Sequence, residues 1–145
     1  MIWNMIPNSE RLSLWKKLRE DIEELLFYEQ LQKIALFFST APFGSRTIDY
    51  YSPSDWPTPW EILFYGDFCA SSISLLIFYT LFLLPGNKNI ELILVNDNKD
   101  VYLLPLVEEY FVLNYELGKV NRISDIEKEF KILKKYSRDQ VRKIT

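Results

Sequence analysis

From Cys69 to Leu84 the chain carries no charged residue, and Pro85-Gly86 ends the run. Wound as a helix, this segment shows apolar side chains on every side, so it must be enclosed by protein or by lipid. Asp67 is placed to accept hydrogen bonds from the orphan amides of a first turn, and Ala70, Ser71 and Ser72 are small enough to start a helix against a crowded neighbour. Length discriminates between the two environments. A spanning helix needs about 20 predominantly apolar residues, and about 14 strongly apolar ones remain here once Cys-Ala-Ser-Ser and Pro-Gly-Asn are set aside. No second apolar stretch exists, the flanks lack a Lys/Arg bias, and the N-terminus shows no signal-peptide pattern. The segment is read as the buried central helix of a globular domain, with a single-span membrane protein as the remoter alternative.

A core to enclose that helix is affordable: of 145 residues, 48% are hydrophobic and 16% aromatic. Two absences narrow the chemistry. There is one cysteine, so no internal disulfide, and no histidine, which removes the commonest metal ligand and the commonest general base. Serine or cysteine triads built on histidine are excluded within this chain, and one thiolate plus carboxylates makes a poor zinc set, so no metal or cofactor is expected. With four glycines and no Gly-rich phosphate motif, nucleotide binding has no support either. The acidic pairs Glu23-Glu24 and Glu108-Glu109 point adjacent side chains in different directions and form no paired-carboxylate site.

Charge is unevenly spread. From Lys119 onward nine Lys/Arg stand against four Asp/Glu, whereas the preceding body has eight against sixteen. A basic final segment suits an acidic protein or nucleic acid, although a solvated helix face explains it as well.

Along the chain, Asn8-Ser9-Glu10 reads as a helix start, followed by Trp15, Leu18, Ile22, Leu25 and Leu26 at helical spacing. From Phe27 the stripe moves to the opposite side, through Leu31, Ile34, Ala35 and Phe38. Either the helix breaks near Phe27-Tyr28 or one long helix touches two partners; two helices are favoured. A Pro- and aromatic-rich connection, Asp49 to Trp60, reads as a rigid lid over the core. After Asn87 the period changes to that of strands: Ile90–Val95, Val101–Val107 and Tyr110–Tyr115, separated by turns at 96–100 and Glu108-Glu109, form a β-meander. Pro105 removes a ladder amide, so its missing donor must face an edge or a bulge. Ser124-Asp125-Ile126-Glu127 reads as a capping box opening an amphipathic helix with Ile126, Phe130 and Leu133 on one stripe. The expected fold class is therefore α+β in one domain: N-terminal helices (1–48), a core with the central helix and a three-stranded antiparallel sheet (49–120), and a basic C-terminal helix (121–145).

Helices, a cysteine opening a buried central helix, then an antiparallel meander: this order resembles the transglutaminase-like branch of the papain-like cysteine enzymes, over roughly Tyr50 to Val120. In that fold the helix dipole favours a thiolate on the nucleophilic cysteine, a histidine on a following strand serves as base, and Asp or Asn on the next strand orients it. The resemblance places Cys69 at the first position and Asn114 at the third. The second, expected around Val101-Tyr102, has no histidine. A thiol of ordinary pKa near ~8.5 is only a few per cent thiolate at neutral pH, so the resemblance implies a fold retained and a catalytic function lost. As a blander reading, Cys69 simply packs as a small hydrophobe, and Asn114 is an ordinary strand-edge asparagine.

The segment Trp-Pro-Thr-Pro-Trp-Glu-Ile-Leu and the strand Val-Leu-Asn-Tyr also resemble small tailed-phage proteins of this branch. The resemblance implies a non-catalytic structural or adaptor component of a phage particle, in the virion after assembly in the bacterial cytoplasm, with other particle proteins as partners. Trp3, Met5, Trp56 and Trp60 are the candidate contact residues, together with the two terminal segments. Nucleic acid on the basic C-terminal helix is not favoured, and a membrane is not expected. A cysteine hydrolase or acyltransferase using Cys69 is the competing function.

Overall fold

The computed structural model describes residues 6–41, 44, 46–66, 69–86 and 88–141. Trp3, Met5 and Asp67 lie outside the described residues. Six helices and five strands follow one another: α1 (Asn8–Ile22), α2 (Phe27–Phe38), α3 (Pro59–Tyr65), α4 (Ala70–Leu83), β1 (Ile90–Asn96), β2 (Val101–Val107), β3 (Phe111–Leu113), β4 (Val120–Arg122), α5 (Ile123–Ile126), β5 (Lys131–Tyr136) and α6 (Arg138–Val141). The expected break is present, so the change of apolar stripe at Phe27 marks two helices. Gln30 ties the corner, its side-chain amide donating to the carbonyl of Ile22 at 2.9 Å.

Helix α4 is the centre of the molecule: every residue from Ser71 to Leu81 is buried. Trp15 of α1 is packed against it and donates its indole N–H to Thr80 Oγ1 at 2.8 Å, while Tyr79 donates to the carbonyl of Val141 at 3.0 Å. Among the described residues no helix is long and apolar enough to cross a membrane. Helix α3 leads into α4. Thr58 and Glu61 form a capping box there, Pro59 occupies the first turn, and Gly66 ends the helix in the left-handed region at φ 69°. Gly66 is also where the Arg11 guanidinium lies, so a side chain at 66 would be excluded by space as well as by backbone geometry.

The sheet is antiparallel, in the order β4-β3-β2-β1-β5. One face packs on α4 through Leu92, Leu94, Leu103 and Val107; the other is covered by Ile126 and Phe130 lying over Ile93, Val95, Leu104 and Leu106. Pro105 behaves as anticipated. Residues 105 and 107 direct their backbone groups toward β3, where Val107 accepts from Tyr110 N–H, and the β2–β3 ladder ends at Leu106. The donor that Pro105 lacks would have faced that open edge.

Two expectations are corrected. The sheet has five strands, not three, and the described residues 121–141 do not form a basic amphipathic helix. Ser124 caps nothing: α5 is four residues long, begins after Arg122, and the chain turns fully extended at Phe130. The physical reason is β1. Its apolar residues Leu92 to Val95 are fully buried, and with β2 on one side only, half of its amides and carbonyls would be left without partners. β5 supplies them, from Leu92↔Tyr136 to Asn96↔Lys131, with one irregularity at Leu94/Val95. The end of the described chain is packed into the core. Val141 is 1% exposed and accepts the Tyr79 hydroxyl, so removing residues 137–145 would open the core.

Candidate functional site

The backbone carries Cys69 to the head of α4, as the sequence indicates. It is the N-cap residue, partly exposed, and its amide donates to the carbonyl of Arg46 at 2.9 Å. Its Sγ lies 3.9 Å from Ser72 Oγ. No carboxylate or other base is recorded within bonding distance of this sulfur among the described residues.

Asn114 does reach the same place. It stands just past β3 at φ 67°, a left-handed conformation that asparagine tolerates better than most residues. Its amide donates to the carbonyl of Ala70 at 3.1 Å and to Ser74 Oγ at 2.9 Å, which binds the strand end to the first turns of α4. The structure therefore brings Cys69 and Asn114 to one end of one helix. It gives Asn114 a tethering contact rather than a base to orient.

The strand between them explains the difference. Because β3 stops early, Leu103 has no strand partner for its outward N–H and carbonyl. Serines of α4 take their place: Leu103 N–H donates to Ser71 Oγ at 3.3 Å, and Ser74 Oγ donates to the Leu103 carbonyl at 2.5 Å. Ser71 Oγ also meets the Tyr50 hydroxyl at 3.1 Å, and the Tyr136 hydroxyl bonds the Tyr50 carbonyl. By strand alternation, the β2 side chains that face α4 are Val101, Leu103, Pro105 and Val107, none of them titratable. Where the resemblance calls for a base, apolar side chains and a serine network fill the interface.

Tyr102 points to the other face and helps wall a cavity of about 600 Å³ beside the head of α4. Ala70, Leu104, Asn114, Tyr115, Glu116, Leu117, Asp97 and Glu129 complete it. Tyr102 donates to Asp97 Oδ2 at 2.7 Å, and Tyr115 to Glu129 Oε1 at 2.9 Å. Asp97 is held down to about 2 by the Asp100 amide, with the Tyr102 hydroxyl and the Lys99 amide adding to it. Tyr102 is pushed up to about 12, first by its bond to Asp97 and then by burial; Tyr115 reaches about 12 first through burial and then through Glu129. Glu116 is lowered by the Asn121 amide and by Lys119.

Asp97 also organises the β1–β2 turn, accepting from Lys99 and Asp100 amides at 2.9 Å each. Its folded-state pKa lies below the usual 3.8, so its contribution to stability is complete above about pH 4 and is lost as pH falls toward about 2. Asp97→Asn should flatten that part of the stability profile, measured as urea midpoints between pH 7 and pH 2. An unchanged acid limb in the variant would show that Asp97 does not set it.

Of the aromatic candidates, Trp56 is corrected: it is 3% exposed, donates its indole N–H to the Asp49 carbonyl at 2.6 Å, and packs edge-on against Tyr136. The proline-rich connection is a brace, and this tryptophan is its anchor in the core. Trp60 is 40% exposed and sits on α3 beside Phe64 and Tyr65, also exposed; Arg46 lies over the Tyr65 ring. Phe64 and Tyr65 are not among the residues singled out from the sequence, although Phe64 stands four residues after Trp60 on a capped helix and so shares its side of the helix.

A cysteine at the head of a buried helix, packed on an antiparallel sheet whose strand end returns to that helix, defines a transglutaminase-like fold. Among the solved structures it matches is that of Legionella pneumophila LapG, at 16% identity and TM-score 0.72, covering 90% of this chain and 76% of that one. The EGTA-treated form gives TM-score 0.73 over 90% and 74%, and the calcium-bound form 0.72 over 92% and 78%, both at 16% identity. At this identity the likeness is one of fold. No protein-family model matches the chain, and no curated protein matches it. Among the described residues, no three His, Cys, Asp or Glu side chains are grouped so as to hold a metal ion.

Proposed function

We propose that this chain is a non-catalytic structural or adaptor protein, a component of a tailed-phage particle, that uses a transglutaminase-like core as a scaffold for contacts with other proteins. One observation carries the loss of catalysis: the β2 residues facing the cysteine helix are apolar, and the serine network of α4 is committed to the backbone of Leu103. The phage setting rests on the aromatic motifs of the sequence. The exposed cluster of Trp60, Phe64 and Tyr65 supports a contact role, since large aromatic side chains near an arginine are the residues on which interfaces most often depend.

Two measurements test this. The protein should be found in purified particles; recovery only from the soluble fraction of infected cells would overturn the adaptor reading. The folded protein at pH 7 should react with iodoacetamide more slowly than the urea-denatured protein. The competing hydrolase or acyltransferase reading draws on the placement of Cys69 at a helix N-cap, and it requires the opposite order of rates.

A further inference from the structure

We draw no further inference here: the strongest candidate, the exposed aromatic patch of Trp60, Phe64 and Tyr65 on α3, belongs to the contact surface already described, and nothing in the structure shows what covers it.

Discussion

Replacing Leu76 by alanine is expected to remove about 2–5 kcal/mol of folding free energy, out of the ~5–15 that a domain of this size has. Leu76 is 2% exposed at the middle of a helix packed by α2, α3 and the sheet and bonded to Trp15 of α1, so the space it leaves is bounded by protein. Such a site relaxes poorly, which places the cost toward the upper part of that range. For a chain of this length each kcal/mol lowers Tm by roughly 2–4 °C, so calorimetry should register a clear drop. Cys69→Ser should cost far less, because that residue is at the helix end and partly exposed. A folded Leu76→Ala protein with an unchanged Tm would show that α4 is not the core.

The second large effect belongs to Ser74. It is fully buried, donates to the Leu103 carbonyl and accepts from Asn114, so it joins helix, central strand and strand end through one oxygen. Ser74→Ala should cost about 1–3 kcal/mol, the penalty for leaving a buried carbonyl without its partner, and chemical denaturation will read it directly. Asn114→Gly keeps the left-handed backbone and removes only the amide. It should cost less than Ser74→Ala, and the double variant should cost less than the sum of the two, because both act through Ser74 Oγ. Strict additivity would mean that the three elements are held by packing alone.

What the sequence disclosed, and what it concealed, follows from how local each signal was. The all-round apolarity of residues 73–84, the opposed stripes of α1 and α2, and the turn residues at 96–100 and 108–109 each specify an element without reference to distant parts of the chain. That Asn114 would stand near the head of the cysteine helix was also legible, through order of elements, although its amide bonds Ala70 and Ser74 there and not Cys69. Strand β5 was not legible. Ile126, Phe130 and Leu133 recur at helical spacing, but Ile126 and Phe130 pack onto the outer face of the sheet while Leu133 lies in a strand at its edge, so the regular spacing joins residues with unrelated surroundings. Only the unmet hydrogen bonds of β1, about 40 residues earlier, demand a strand there. Trp56 and Trp60 show the same limit at short range. Four residues apart in a proline-rich stretch, one is an anchor and the other a surface, and what separates them is Tyr136, 80 residues from Trp56. The capping box was assigned to Ser124 when Thr58 carries it. A box is realised only where the residues after it continue as a helix, and after Ser124 tertiary pairing prevails.

The late strand and the turn beyond it have a consequence for biogenesis. β1 emerges from the ribosome long before β5, and Tyr79 waits for the carbonyl of Val141, so neither the sheet nor the buried end of α4 can be completed on a shorter nascent chain. Until then a strand of four fully buried residues presents an open edge in a crowded compartment, the circumstance in which partly synthesised chains associate wrongly. The lysines at 131, 134 and 135 then stand on the strand that finally covers that edge, where charge discourages any further strand from adding to it.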